Sequence, residues 1–334
     1  MKKSFTLFEL IVVLIILGIL ATISTEILLK VYKNYAITKA TNKLVYDTDL
    51  ILNSLAAKLE NRIANSVIAT ECNATNNDCI NGNVKGFISI KNLTKNNAYK
   101  YPVIEWIRKD YSSKRGEWNN TLKRVTPGWA EFVDLIKTQK NNSNGGDYNI
   151  SIPYSDMNIT ADIISEYLKS WGFNITNSNE VFSKTYATLI FSGPDGRGDF
   201  IDINQSYGWY GNPAKNVYKI IQIIDNSTIR IKEINESNQS SVYEGFYICN
   251  GAEAIVPVYN QKTNDYNLTL IQNYYPWKDE NFTDGNKSVI ATHVVQFKFK
   301  EQNGVLRLYL CIQNPSIKVD SNNSLTICKE RIVF

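Results

Sequence analysis

Hydrophobic and polar positions divide the chain into three stretches with different periods. From Phe5 to Leu29 it is almost continuously apolar, interrupted mainly by Thr6, Glu9, Gly18 and a polar patch from Thr22 to Glu26. About twenty such residues at 1.5 Å each cross the hydrocarbon layer of a bilayer, so 5–29 is expected to be a transmembrane helix. Over 30–70, Leu44, Ile51, Leu55, Leu59 and Ile63 recur at steps of four or seven, which predicts an amphipathic helix. Its single apolar stripe needs a cover. The heptads stop at Ile68, which argues against an isolated coiled-coil stalk. Beyond residue 70 short alternating runs and turns take over, so 71–334 is expected to be a β-rich globular head. The fold class is α+β.

The clearest part of the head is HVVQFKFKEQNGVLRLYLCI, where Asn303-Gly304 reads as a type I′ turn between two alternating runs. A two-residue loop there sets Phe299 opposite Leu308 and Phe297 opposite Leu310 on one face. Lys298 then meets Tyr309 on the other. SLTICKERIVF supplies a further strand. Earlier strands are predicted in TYATLIFSG, FIDIN, NVYKIIQII and TIRIKEI, and a short amphipathic helix in ADIISEYLKSW.

Composition removes several kinds of chemistry. The chain has 334 residues, enough for a sizeable core, 43% hydrophobic content, and a net charge of only +4, so no global field points to nucleic acid or an acidic partner. A single histidine, His293, rules out most Ser/His/Asp, Cys/His and multi-His metal schemes. No GxxxxGK[ST], GxGxxG or HExxH stretch occurs. Neither catalysis, a cofactor nor a metal is expected, and His293 reads as an ordinary strand residue.

Five cysteines behind an apolar anchor point to an oxidising compartment. Cys72 and Cys79 enclose a short loop suited to a local bridge. A Cys311–Cys328 bridge would pin the C-terminal strand to its neighbour. One thiol is left over, for which Cys249 is the candidate. Spacing does not fix the connectivity.

Lys2 and Lys3 precede the apolar run, so the positive-inside rule leaves the short N-terminus in the cytoplasm and the head outside. A secretory signal shares that layout, but Glu9 would harm its core and no A-x-A site follows; ATIS at 21–24 is the nearest approach. A carboxylate at membrane depth costs a few kcal/mol and asks for a partner. The stretch KKSFTLFEL resembles the processing site of type IV prepilins and type II secretion pseudopilins. The resemblance implies cleavage between Ser4 and Phe5 by a prepilin peptidase, a leader of residues 1–4, and N-methylation of Phe5. It makes Glu9 the fifth mature residue, there to meet the α-amine of a neighbouring subunit during assembly. Ser4 stands where that family usually has Gly, which bears on the efficiency of cleavage. The size of the head and the VxFxF strand resemble PilW-type minor pilins or J-type pseudopilins, whereas K-type tip pseudopilins characteristically lack the acid.

Three stretches of the head invite other readings. SGPDGRGDFIDIN clusters Asp195, Asp199, Asp202 and Asn204 as in a Ca²⁺ loop, but the EF-hand spacing is absent and a Gly/Asp turn is the better reading. Arg197-Gly198-Asp199 within it is a tripeptide that recurs by chance. EWIRKDYSSKRGEWNNTLKRVTPGW mixes Arg108, Lys109, Lys114, Arg115, Lys123 and Arg124 with three tryptophans. Such a mix can grip single-stranded DNA, yet a solvated surface loop with buried tryptophans is favoured.

Fifteen N-x-S/T sequons occur, and in eleven an Asp or Glu stands two residues before the Asn. Acidic residues are 32 of 334, so chance gives about one or two. The eleven are Asn73, Asn119, Asn149, Asn158, Asn204, Asn235, Asn238, Asn267, Asn281, Asn286 and Asn322. The extended pattern is similar to the acceptor signal of bacterial oligosaccharyltransferases, which implies N-glycosylation on exposed loops. The sequence thus leads to a structural subunit, a minor pilin or pseudopilin held in the inner membrane with its head in the periplasm until it joins a filament. Its partners would be other pilins, the assembly platform, the prepilin peptidase and an oligosaccharyltransferase. The competing reading is a single-pass anchored periplasmic binding or adhesion protein.

Overall fold

The computed structural model describes residues 7–141, 147–192, 202–235, 242–319 and 323–334. One unbroken helix, α1 (Leu7–Glu60), opens the chain and is roughly 80 Å long at 1.5 Å per residue. Its residues 7–35 are all exposed. Its far half buries Leu44, Thr48, Leu52, Leu55, Ala56 and Leu59, with Ile51 partly covered. The stripe therefore lies where periodicity put it for Leu44, Ile51, Leu55 and Leu59, while Ile63 falls beyond the helix in another cluster; Thr48 widens it, its hydroxyl spent on the Leu44 carbonyl at 2.7 Å.

The helix stops at Glu60, ten residues before the expected 70. Arg62 takes over the exposed end, donating to the Leu59 carbonyl at 2.7 Å. Ile63 then bonds across to the Ile107 carbonyl, and 64–66 form a 3-10 turn. The run that follows, Val67-Ile68, is β-branched and buried on the sheet, and such residues fit a strand better than a helix.

The strands are β1 (Ile68–Glu71), β2 (Gly86–Ser89), β3 (Val103–Lys109), β4 (Glu117–Asn119), β5 (Arg124–Thr126), β6 (Asp134–Asn141), β7 (Asp147–Ser151) and β8 (Thr188–Phe191). They continue as β9 (Val217–Asp225), β10 (Thr228–Glu233), β11 (Phe246–Asn260), β12 (Asp265–Tyr274), β13 (Asn286–Gln302), β14 (Val305–Lys318) and β15 (Ser324–Val333). All but β4 and β5 join one antiparallel sheet, in the order β15-β14-β13-β12-β11-β8-β9-β10-β7-β6. Strand β11 is where it branches. On one edge it pairs with β12. On the other, its beginning pairs with β8 and its middle with β3, which carries β1 and β2. Strands β4 and β5 form a separate hairpin.

The hairpin at Asn303-Gly304 has the expected register, with Phe299 opposite Leu308, Phe297 opposite Leu310 and Lys298 opposite Tyr309. Asn303 and Gly304 both have positive φ, 55° and 77°, as a type I′ turn requires. Strand β15 sets Cys328 opposite Cys311 and the two are bonded, as are Cys72 and Cys79. Cys249 is free and buried. The expected strands in TYATLIFSG, NVYKIIQII and TIRIKEI are β8, β9 and β10. Of FIDIN, Phe200 and Ile201 lie outside the described residues, and Ile203–Ser206 is a helical turn, because Asp202 accepts from the Asn204 amide at 3.0 Å and caps it. The helix expected in ADIISEYLKSW begins earlier. It is α2 (Met157–Ser170), capped by Asp156 through the Asn158 and Ile159 amides.

Three apolar clusters fill the head. One lies between α1 and β11–β15 and includes Leu55, Leu59, Trp106, Ile255, Leu268 and Leu308. A second is built on Ile68, Val103, Ile107, Tyr207, Trp209 and Tyr274. The third lies under α2, with Ile164, Leu168, Ile229, Ile231 and Phe246. Side chains of β3 alternate between the first two, Ile104 and Trp106 to one and Val103 and Ile107 to the other.

Candidate functional site

The exposed half of α1 is the one helix, among the described residues, long and apolar enough to cross a membrane, and that apolar stretch is not buried in the protein. Its polar groups are arranged for such a setting. The hydroxyls of Thr22 and Thr25 donate to the carbonyls of Ile19 and Ala21 at 2.8 and 2.7 Å, so neither needs water. Glu26 faces Lys30 one turn on, at 4.0 Å. Glu9 lies in the first turn and is exposed, where the positive end of the helix dipole favours a carboxylate. Ser4 and Phe5 lie outside the described residues.

Beyond the apolar stripe, Lys329 of β15 bonds the Asp49 carboxylate of α1. Below that contact, Leu308, Leu310 and Val333 close over Leu55 and Leu59 in a single cluster. The head is thereby tied to the far half of the helix by its own last strands, while the near half projects free of it.

Two of the three tryptophans in the basic stretch are packed inside the head. Trp106 and Trp129 are buried, and Trp129 donates to Ser113 Oγ at 3.0 Å. Only Trp118, on the β4–β5 hairpin, is exposed, at 58%. Lys114 pairs with Glu131 at 2.8 Å. Arg108 points into the protein and makes the densest polar network of the head. Its guanidinium donates to Glu253 Oε1 at 2.8 Å, Asn250 Oδ1 at 2.9 Å, the Tyr167 hydroxyl at 3.0 Å and Asn273 Oδ1 at 3.2 Å. Burial opposes the charge of Arg108, but Glu253, Tyr167 and Asp110 together outweigh it and hold the proton more tightly than usual. Sequence reading took Arg108 for a surface charge and did not single out Glu253. The period of β3 gives no polar side to read, since Arg108 shares one side with Ile104 and Trp106 while Val103 and Ile107 fill the other.

A second missed group is Glu105. It is fully buried and accepts from Thr70 and Tyr210 at 2.5 Å and from Tyr274 at 2.8 Å. Burial raises its carboxyl pKa despite these three donors. His293 belongs to no group that could hold a metal among the described residues; its Nδ1 lies 2.8 Å from Asp265. Asp195, Asp199 and the Arg197-Gly198-Asp199 tripeptide lie outside the described residues, while Asp202 is a helix cap.

None of the nine described acid-preceded sequon asparagines is buried; Asn238 and Asn322 lie outside the described residues. The nine divide by what the preceding acid does. Glu71, Glu117, Asp156, Asp202, Asp279 and Asp284 are not buried, and they precede Asn73, Asn119, Asn158, Asn204, Asn281 and Asn286. Asp147, Glu233 and Asp265 are buried, ahead of Asn149, Asn235 and Asn267. Asp156 and Asp202 also give the pattern a purely structural cause, because each caps a helix. At Asn73 and Asn281 the side-chain oxygen accepts from the hydroxyl of the sequon threonine, at 2.6 and 2.8 Å.

A long apolar helix free of the head is thus followed by an antiparallel head tied to its far half. Residues 1–25 match the family model for the prokaryotic N-terminal methylation motif, and this N-terminal segment is that of the type IV pilin and pseudopilin family. No curated protein and no solved structure matches the chain. Proteins with this segment are structural subunits, and the motif implies processing by a prepilin peptidase and assembly with other pilins.

Proposed function

We propose that the protein is a minor pilin or pseudopilin of a type IV pilus, secretion or DNA-uptake filament, with a PilW-like or J-type head. Residues 1–4 are the leader, 5–29 the transmembrane segment, 30–70 the periplasmic helical segment with its connection, and 71–334 the head. The peptidase cuts between Ser4 and Phe5 at the cytoplasmic face and Phe5 is N-methylated. The new α-amine then meets Glu9 of a neighbouring subunit inside a water-poor stack of helices. There each charge alone would be costly, and the pair neutralises both. The head waits in the periplasm and enters the filament with its helix; the protein works as a subunit rather than an enzyme. The match of residues 1–25 to the methylation motif carries this reading.

Mass spectrometry of the N-terminal peptide from native membranes tests it. The expected species begins at N-methyl-Phe5. A chain beginning at Met1 overturns the reading and favours an anchored binding protein. Glu9→Leu is expected to remain in the membrane fraction but to fall at least roughly tenfold in sheared filaments, a loss in the range for breaking one buried charge pair. Undiminished incorporation would remove Glu9 from assembly. The unburied acids two residues ahead support N-glycosylation of the folded head at Asn73, Asn119, Asn158, Asn204, Asn281 and Asn286 in preference to Asn149, Asn235 and Asn267, whose acids are buried. Peptide mapping of native protein checks that order.

A further inference from the structure

A cleft of about 620 Å³ opens where α1 ends, between the turn at 60–65, the last residue of β3, the end of β8, the start of β11 and the Asn303-Gly304 turn. It is a site of small-ligand size. Arg62, Lys91 and Lys109 line it, against the carboxylates of Glu60 and Glu301. Arg62 is buried, and both of its side-chain hydrogen bonds leave from Nη1, to the carbonyls of Leu59 at 2.7 Å and Phe334 at 3.2 Å. Lys109 is half-buried, with its ammonium over the Tyr247 ring, 4.0 Å from the centroid. Among the described residues, Arg62 Nε and Nη2 and Lys109 Nζ have no hydrogen-bond or ion-pair partner, and none of the three is closed off from water. A ligand in the cleft can therefore reach them.

The charges around these donors select the ligand. Burial pushes the Lys109 amine down, Cys249 and Glu131 oppose that, and the cations Lys114 and Arg62 add to it. Little counter-charge is left for Lys109, because Glu131 is held by Lys114 at 2.8 Å and burial keeps the Cys249 thiol protonated. Burial also opposes the charge of Arg62, against the pull of Glu301 and Glu60. Neither acid comes within 4.0 Å of it, and Glu60 is exposed to the screening of solvent. Two cations partly out of water and short of an anion are costly, and one oxyanion bonded to both would relieve them. The free edge of the guanidinium matches two oxygens of a carboxylate or phosphate. At the rim, Lys91 bonds Asn65 Oδ1 at 3.0 Å and Asn303 is exposed, which offers polar groups to a hydroxylated body. We propose that this cleft binds a small oxyanion, a carboxylate or phosphate on a hydroxylated body, held between Arg62 and Lys109. The inference stands on the head alone, however the N-terminus is processed.

The test is saturation-transfer NMR on the full-length protein in an uncharged polyoxyethylene detergent at low salt, with glucose 6-phosphate, glucuronate and glucose as probes. At least one of the two anions is expected to show transfer to its ring protons, with a Kd on the order of 1 mM, and glucose none. Transfer to the phosphate ester alone assigns a phosphoryl ligand, transfer to glucuronate alone a carboxylate, and either supports the site. Lys109→Gln should weaken binding roughly tenfold, the scale of one charge-assisted hydrogen bond. Ala64→Glu, at an exposed position of the cleft wall, sets a carboxylate against the ligand and should do the same; it decides the matter if Lys109→Gln does not fold. Lys123→Gln, on the β4–β5 hairpin, should change nothing. Absence of transfer at about 10 mM of both anions, equal transfer to glucose, or binding undiminished in both cleft variants would each overturn the proposal.

Discussion

The two halves of α1 share one unbroken backbone, yet they live by different rules. In the near half, leucines and isoleucines face outward in every direction and the threonines bond their own backbone. In the far half, the apolar residues narrow to a stripe under β11–β15, and charge returns on the other sides. A helix apolar all round suits lipid, and a helix with one stripe suits a protein cover. The change near Tyr35 marks where the head begins to cover the helix.

The sharpest way to break this comparison is to shorten one leucine in each half. Leu59→Ala should lower the unfolding free energy of the head by about 2–5 kcal/mol, whereas Leu14→Ala should leave it unchanged. Denaturant melts of the two variants in detergent check this, and equal losses would mean that the near half also packs on the head. Next in size is Cys311→Ser with Cys328→Ser, which frees the last strand under α1. A crosslink spanning 17 residues contributes about 3 kcal/mol in the loop-entropy account, and thermal melts of the double variant measure it.

Glu105→Gln carries the comparison to charge. Because burial raises the folded pKa of Glu105, the associated stability is present in full below its ordinary value of 4.5 and is lost as pH rises through the folded value. The variant should thus gain stability over the wild type as pH is raised from 4 towards 8 in paired melts. A difference independent of pH would show that folding leaves the Glu105 pKa unchanged. Asp49→Ala should be the smallest, under about 1 kcal/mol, because its bridge to Lys329 is half-exposed. A larger loss would show that the polar clasp holds the far half of α1 more than its leucines do.

Legibility in the sequence followed the range of the interactions. The apolar run, the stripe and the Asn303-Gly304 hairpin rest on neighbours a few positions apart, and their residues announced them. The end of α1 was misjudged because Ile63 continues the spacing of the stripe while belonging to the turn beneath β3. Ile203 was misjudged because its apolar alternation was overridden by Asp202 acting as a cap. The Arg108–Glu253 and Glu105–Tyr274 networks were invisible, since their partners meet only through the pairing of β3 with β11. A strand buried on both faces also offers no polar side from which to read its inward charges. For the anchor, by contrast, the signal was entirely local: Glu9 was conspicuous because its surroundings were so uniform.

The branch at β11 has a consequence for the order in which the chain can become protein-like. Ile104 of β3 pairs with Ile255, and the cover for Leu55 and Leu59 comes from Leu268, Leu308 and Val333. During synthesis the helix would emerge first and the strands that roof it last. Its stripe and the edge of β3 must stay uncommitted through the making of nearly the whole head. Contacts this distant along the chain form slowly and leave sticky surface bare meanwhile. The protein most in need of a chaperone would be the one truncated just before β12.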